Sequence, residues 1–313
     1  MLAIIAPGQG SQTPGFLAPW LEDASLRDLL ATWSDAIELD LLHLGTSADA
    51  DEIRDTANAQ PLIVAAGLLG MSALGSEIDL SVTAGHSVGE ITAAAIASVL
   101  SNNDALRLVR ERGSVMAVAA AQSQTGMSAV LGGERAEVLA ALTRLDLVAA
   151  NENGAGQIVA AGDLVALAKL SESPPAGARI RALAVAGAFH TRYMRSALNH
   201  LAEFARPLPV KNPIITVVSN KDGEVVATGR EVLDRIVNQI ANPVRWDLCM
   251  KTLSNLGVTA ILEVPPAGTL VGLIKRALPG VETLALKSPA DLAAARDLIA
   301  RHTTSRVGKV GGQ

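Results

Sequence analysis

The sequence from residue 83 to residue 90 is Thr-Ala-Gly-His-Ser-Val-Gly-Glu, in which Gly85, Ser87 and Gly89 form a Gly-x-Ser-x-Gly pattern. The alternating apolar residues Leu80, Val82 and Ala84 predict the end of a buried strand, and the alanine-rich segment 91–97 predicts a helix. A tight turn between such elements requires small residues on both sides of the serine and exposes its hydroxyl in a cleft. We therefore predict a nucleophile elbow at Ser87, the alternative being an ordinary strand-turn-helix with a serine cap.

The composition is that of a folded protein with few aromatic residues. Of the 313 residues, 49% are hydrophobic, 18% are charged and 2% are aromatic, so aliphatic side chains must fill the core. The net charge of −5 argues against a nucleic-acid binder, and the single Cys249 excludes an internal disulfide. No secretory signal is expected, and the nearest membrane-span candidate, residues 60–76, is interrupted by glycines. We predict a cytoplasmic protein that binds neither nucleic acid nor membrane.

The order of predicted elements divides the chain into two domains. Residues 1–120 and 187–313 predict a large hydrolase-like α/β domain with a mostly parallel sheet. Residues 121–186 predict β-α-β-β-α-β, a small ferredoxin-like α+β domain inserted into the large one. The loop 7–12, Pro-Gly-Gln-Gly-Ser-Gln, follows the first predicted strand, where ligands bind in α/β sheets, although a plain connecting turn is the alternative.

A serine hydroxyl needs a base to become a nucleophile, and the histidines differ in their suitability. His86 adjoins Ser87 on a turn that directs neighbouring side chains apart. His190 lies in a small-residue loop directly before a predicted helix, which makes it the candidate base. To orient it, Asp222 and Glu263 are weak options, and a backbone carbonyl could accept the Nδ1 proton instead. The remaining histidines, which we expect at the surface, are His43, His200 and His302.

Five motifs occur along the chain in a combination that is specific, although each one alone is common. They are Pro7-Gly8-Gln9-Gly10-Ser11-Gln12, residues 85–90, Arg112-Gly113 with Met116, Ala188-Phe189-His190, and Gln239 ahead of Asn242-Pro243-Val244-Arg245-Trp246. Together they resemble the malonyl-CoA:acyl-carrier-protein transacylases. The resemblance implies that a malonyl group passes from malonyl-CoA to the phosphopantetheine thiol of an acidic holo-acyl carrier protein, for fatty acid or polyketide synthesis.

The resemblance also implies the catalytic roles. Ser87 would be acylated and discharged in a ping-pong reaction, with His190 as its base. The backbone N–H groups of Gln9 and Val88 would form the oxyanion hole, and the backbone carbonyl of Gln239 would orient His190. The CoA thioester and phosphopantetheine would be substrates, so we expect no cofactor and no metal, and we expect a monomer.

Further residues would hold the substrate. Arg112 would bind the malonyl carboxylate, because a guanidinium donates two parallel hydrogen bonds to a carboxylate. Phe189 would favour malonyl, since related polyketide acyltransferases have an aromatic residue here for malonyl and a small one for methylmalonyl. Asn153 and Gln157 would contact the thioester or the pantetheine arm, the alternative being amides that form a turn.

The sequence also departs from the family pattern. Val88 stands where leucine is common, and Thr191-Arg192-Tyr193-Met194 stands where Ser-Pro-Leu-Met is typical. Arg192 with Arg195, or Lys275 with Arg276, could contact an acidic carrier protein, the alternative being solvated surface.

Three rival functions remain open at this point. A serine esterase of the α/β-hydrolase type would need a late histidine and has no use for Arg112. A patatin-like lipase would pair Ser87 with Asp222. A non-catalytic subunit that binds a carrier protein would not need Ser87, His190 and Arg112 together.

Overall fold

The computed structural model describes residues 1–75, 78 and 80–303. Residues 76, 77 and 79, shortly before the elbow, and residues 304–313 of the predicted large domain lie outside this part. The strands are β1 (Leu2–Ala6), β2 (Val82–Gly85), β3 (Thr125–Gly132), β4 (Val148–Gly154), β5 (Gln157–Asp163), β6 (Ala178–Ala182), β7 (Thr216–Val218), β8 (Val225–Val226), β9 (Val244–Arg245), β10 (Ala260–Glu263) and β11 (Glu282–Ala285). The α-helices are α1 (Ala24–Ile37), α2 (Leu41–Thr46), α3 (Thr56–Leu74), α4 (Gly89–Ile96), α5 (Asn102–Ala120), α6 (Arg135–Arg144), α7 (Leu164–Glu172), α8 (Arg195–Ala205), α9 (Gly229–Gln239), α10 (Trp246–Asn255), α11 (Thr269–Ala277) and α12 (Leu292–His302).

The large sheet has the order β11-β10-β1-β2-β7-β8, and all its pairings are parallel except that of β7 with β8. Strand β1 lies near the centre with all five residues buried. Its Leu2 and Ile4 pack into the core that includes α3 and α4, whereas Ala3 and Ile5 pack against α10 and α11 on the other face. Both faces are therefore covered, as a parallel sheet requires. The predicted α/β domain with a mostly parallel sheet is confirmed.

The second sheet has the order β6-β3-β5-β4-β9. Strands β3 to β6 pair antiparallel and carry α6 and α7, so they form the predicted β-α-β-β-α-β unit. Its own core includes Val130, Leu142 and Leu167. Strand β9 joins β4 in parallel from outside residues 121–186, so a segment of the large domain completes the small sheet.

Helix α3 is long and apolar enough to count as a candidate membrane span, so the prediction that its glycines rule this segment out was wrong. A Cβ on Gly67 would lie 2.8 Å from Thr92 Cγ2, and one on Gly70 would lie 2.5 Å from Pro265 Cδ. These glycines therefore let neighbouring segments approach α3 closely. By length and composition the helix could cross a membrane, but 72% of its most apolar window is buried inside the protein. Burial to this extent is typical of a helix in the core of a folded domain.

Candidate active site

The predicted elbow forms where β2 passes into α4. A Cβ on Gly85 would lie 1.9 Å from the carbonyl carbon of Gly89, and one on Gly89 would lie 2.2 Å from the carbonyl oxygen of Ala6. Neither position can carry a side chain. Ser87 has a φ of +54°, in the left-handed region that residues other than glycine rarely adopt. Since α4 begins at Gly89, the positive end of its dipole lies beside the serine.

Ser87 and His190 are brought into contact. Ser87 Oγ lies 2.7 Å from His190 Nε2, and His190 Nδ1 lies 2.8 Å from the backbone carbonyl oxygen of Gln239. The carbonyl can only accept, so the imidazole carries its proton on Nδ1 and offers Nε2 as the acceptor. Burial, together with the positive charge of Arg112, lowers the pKa of His190 to about 3. The imidazole is therefore neutral at neutral pH and can accept the serine proton.

The two carboxylates considered for orienting His190 bind other groups. Asp222 pairs with Arg235 at 2.7 Å. Glu263 is buried and accepts three backbone N–H groups around the start of α11 at 2.9–3.0 Å. His43 and His200 are exposed, as expected, whereas His302 is half-buried. The three pair with Glu52, Glu111 and Glu282, respectively. The group that contacts His190 Nδ1 is therefore the carbonyl of Gln239 and neither of these two carboxylates.

The backbone N–H groups of Gln9 and Val88 lie in residues that line the cavity over Ser87. Among the described residues, neither group donates a hydrogen bond. The Gln9 side chain holds its own loop, donating to the carbonyl of Arg54 at 3.3 Å and to Thr56 Oγ1 at 3.4 Å. Two free N–H donors beside a nucleophile can stabilise an oxyanion.

The cavity over Ser87 has a volume of about 530 Å³ and lies between the two domains. Phe189, which is 5% exposed, contributes an apolar wall, and Arg276 of α11 lies at its edge. The small domain supplies the facing wall from β3, β4 and β5, through Met127, Asn151, Asn153, Gln157 and Val159. Asn153 Oδ1 also lies 2.9 Å from His86 Nε2.

Arg112 lies behind this cavity and is only 1% exposed. Its Nη1 donates to Gln60 Oε1 at 2.6 Å and its Nη2 donates to Gln239 Oε1 at 2.9 Å. Its Nε is buried without a partner among the described residues. Burial lowers its pKa to about 10, so the side chain stays charged at neutral pH. Gln60 of α3 and Met116 of α5 line the cavity, whereas Arg112 does not.

Sequence reasoning missed two residues that the structure places at the site. Gln60 is a buried amide at the start of the apolar part of α3, and a buried polar side chain in such a helix predicts a polar partner. Asn220 follows β7 at the carboxyl edge of the parallel sheet, where α/β proteins place their ligand-binding residues. Within the described residues, no group of three or more His, Cys, Asp or Glu side chains is placed to hold a metal ion.

The strained serine, its neutral imidazole partner and the two free N–H groups define a serine-dependent acyl-transferring enzyme on an α/β scaffold. The chain matches the acyl transferase domain model over residues 4–295. It is 55% identical to the malonyl CoA-acyl carrier protein transacylase of Mycobacterium tuberculosis, over 93% of this chain and 98% of the relative. The relative from Bacillus subtilis is 32% identical over 92% of this chain and 94% of its own. The chain belongs to the malonyl CoA-acyl carrier protein transacylase family.

Solved structures agree with this assignment. The crystal structure of the transacylase from Mycobacterium tuberculosis superposes with a TM-score of 0.90 at 54% identity, covering 94% of this chain and 99% of that one. A malonyl-transacylase in complex with a type II polyketide synthase acyl-carrier protein also superposes with a TM-score of 0.90, at 29% identity, covering 95% and 99%. The protein is thus an acyltransferase, and the esterase, lipase and non-catalytic alternatives are set aside.

Proposed function

We propose that the protein transfers the malonyl group of malonyl-CoA to the phosphopantetheine thiol of a holo-acyl carrier protein. The observation that carries this proposal is the position of Gln239 between two functional groups. Its backbone carbonyl orients His190 at 2.8 Å, and its side-chain Oε1 holds Arg112 at 2.9 Å. Gln239 thus links the reacting pair, Ser87 and His190, to the buried charge of Arg112. A guanidinium close to the serine that forms the ester favours an acyl group with a free carboxylate, and malonyl is such a group.

The first half-reaction acylates the enzyme. Ser87 Oγ attacks the thioester carbonyl while His190 Nε2 takes its proton. The developing oxyanion accepts hydrogen bonds from the backbone N–H groups of Gln9 and Val88. Each such donor contributes roughly 3–4 kcal/mol to transition-state stabilisation. The tetrahedral intermediate expels the CoA sulfur, which leaves as a thiol with the proton from His190.

The second half-reaction reverses these roles. The phosphopantetheine thiol gives its proton to His190 and attacks the malonyl-Ser87 ester, and the serine leaves with that proton. All steps use side chains, backbone N–H groups, one thioester substrate and one thiol substrate, so we propose no cofactor. The wall supplied by the small domain would keep water from the ester.

The malonyl carboxylate would bind Arg112 in place of Gln60. Gln60 lines the cavity and accepts the hydrogen bond from Arg112 Nη1, and Arg112 Nε has no partner among the described residues. If the Gln60 amide moves aside, Nη1 and Nε can both donate to a carboxylate. Phe189 would crowd a methyl branch on the α-carbon and so favour malonyl over methylmalonyl. Asn153 keeps its Oδ1 on His86 and would offer its N–H groups to the thioester arm.

An acidic carrier protein would meet the cavity mouth at α11. Lys275 and Arg276 lie in the last turn of this helix, and Arg276 lines the cavity. In the other candidate patch, Arg192 with Arg195, Arg192 already pairs with Asp146. This contact supports the α11 patch as the one that attracts the partner.

Mass spectrometry of the intact protein after brief mixing with malonyl-CoA tests the proposal. We expect one malonyl group on the peptide that contains Ser87, and its discharge by added holo-carrier protein. Ser87→Ala should give no adduct, whereas Ser11→Ala, which removes another serine of the same cavity, should keep it. An adduct that only water removes would identify a hydrolase, and no adduct on the wild type would refute the proposal.

A further inference from the structure

The elbow around Ser87 is tied together by the side chain of Asn220. Its Oδ1 accepts the N–H of Ser87 at 2.8 Å, and its Nδ2 donates to the carbonyl of Gly85 at 2.6 Å. One amide thus spans the two residues on either side of His86. Because Ser87 is held at a φ of +54°, a tie across this turn opposes relaxation of the backbone to an ordinary conformation.

The neighbours of Asn220 allow only one orientation of its amide. Gln239 Nε2 also donates to Asn220 Oδ1, at 3.1 Å, beside the donor from Ser87. If the Asn220 amide were flipped, its NH₂ group would face the two donors, Ser87 N–H and Gln239 Nε2. The residue is fully buried, and its own N–H and carbonyl are bonded to Glu90 and Arg245. Every polar group of Asn220 therefore has a partner, as buried polar groups require, and together these bonds fix the position of the side chain.

Glu90 fixes the position of Asn220 from the first turn of α4. Its Oε1 accepts the backbone N–H of Asn220 at 2.5 Å, and its Oε2 accepts Gln239 Nε2 at 2.6 Å. Both oxygens must act as acceptors for these bonds. Burial raises the pKa of Glu90 to about 7, while the Asn220 N–H and the charges of Arg112 and Arg235 oppose this rise. A carboxyl group buried at this cost is consistent with a specific positioning role.

We propose that Asn220 is the positioning residue of the nucleophile and that Glu90 locks it in place. Asn220 acts through Ser87, since it holds the turn that presents Oγ to His190. Its Oδ1 engages the N–H of Ser87, so that N–H is not available to the oxyanion. This inference deepens the proposed function and rests on it for the natural substrate, but not for the reactivity of Ser87.

The rival account is that these bonds only stabilise the fold. The reactivity of Ser87 per folded molecule separates the two accounts, and phenylmethylsulfonyl fluoride measures it without malonyl-CoA or carrier protein. Failure of the proposed function would leave sulfonylation of the wild type intact, so the two failures are distinguishable. Ser34→Ala is the matched control, because Ser34 is also buried and accepts a backbone N–H, that of Leu41 at 3.1 Å, away from the site.

Asn220→Ala should lower both the sulfonylation rate and kcat for malonyl transfer by about 100-fold, the effect of misplacing a catalytic group by about 1 Å. KM should change by less than about threefold, because Asn220 touches no substrate. Ser34→Ala should lower the midpoint of urea unfolding and leave both rates unchanged. Wild-type rates in folded Asn220→Ala would overturn the proposal.

Two isosteric variants keep the test valid if Asn220→Ala does not fold. Asn220→Asp keeps the acceptor for Ser87 but places an oxygen against the carbonyl of Gly85, so it should be slowed as much as the alanine variant. Glu90→Gln directs N–H groups at either Asn220 or Gln239, and it should slow sulfonylation by at least tenfold. Full reactivity in both variants would equally overturn the proposal.

Discussion

Replacing Arg112 by alanine should separate recognition of the malonyl carboxylate from the chemistry at Ser87. A bound carboxylate would accept two charge-assisted hydrogen bonds from the buried guanidinium, each worth about 1.5–3 kcal/mol. Their loss corresponds to about 3–6 kcal/mol, or roughly 10²- to 10⁴-fold in kcat/KM at about 1.4 kcal/mol per factor of ten. Acetyl-CoA has no carboxylate, so its acylation of Ser87 should fall by less than about tenfold, through the disturbed contact of Arg112 with Gln239.

The assay is quenched-flow mass spectrometry of Ser87 acylation by malonyl-CoA and by acetyl-CoA. Arg112→Lys should give an intermediate loss with malonyl-CoA, because a lysine keeps the charge but not the planar pair of donors. Arg107→Ala is the matched control, since Arg107 lies on the same helix with a side chain that is 55% exposed. Equal losses for the two substrates in Arg112→Ala, or full malonyl activity in Arg112→Lys, would refute the carboxylate-binding role.

Three further predictions concern the remaining site residues. His190→Ala should slow acylation of Ser87 by about 10²- to 10⁴-fold, as expected for loss of a general base, and near-normal single-turnover rates would contradict that role. Phe189→Ser should raise the ratio of methylmalonyl to malonyl transfer by roughly 10- to 200-fold, the range for one methyl group in an apolar pocket, and an unchanged ratio would remove Phe189 from selectivity. The pKa of His190 is lowered from 6.5 to about 3 in the folded state, so the unfolded chain binds its proton first as the pH falls. The contribution of the neutral imidazole to stability should therefore be complete above pH 6.5 and decline below it. In urea unfolding, the free energy of unfolding of the wild type minus that of His190→Ala should be smaller at pH 5 than at pH 7.5. An equal difference at both pH values would contradict the lowered pKa.

The elbow was predictable because its requirements are local. Gly85 and Gly89 have no room for a Cβ, and the flanking segments have the periodicities of a buried strand and a helix. The β-α-β-β-α-β order of the small domain was equally visible, since each element is short and follows the last closely. The choice of His190 needed elimination among five histidines, and the motif resemblance then named Gln239, Arg112 and the oxyanion donors.

Other features could not be derived from local pattern. Asn220 and Gln60 lie 133 and 52 residues from their partners Ser87 and Arg112, so no sequence window contains both members of either pair. Strand β9 completes the small sheet from outside residues 121–186 for the same reason. The glycines of α3 were misinterpreted as interruptions, because the neighbours that need their space come from α4 and from the segment around Pro265.

The amino-acid sequence by itself determined the strand-turn-helix at Ser87 and the parallel sheet, because sterics and hydrophobic periodicity act within a few residues. It identified His190 by elimination and by the motif resemblance. Only the tertiary structure decided that Arg112 lies buried behind the cavity, that Gln239 joins it to His190, and that Glu90 and Asn220 hold the elbow. These contacts depend on how β2, β7, α4, α5 and α9 pack together. Buried polar groups must find partners wherever the chain brings them, and that is a property of the whole fold.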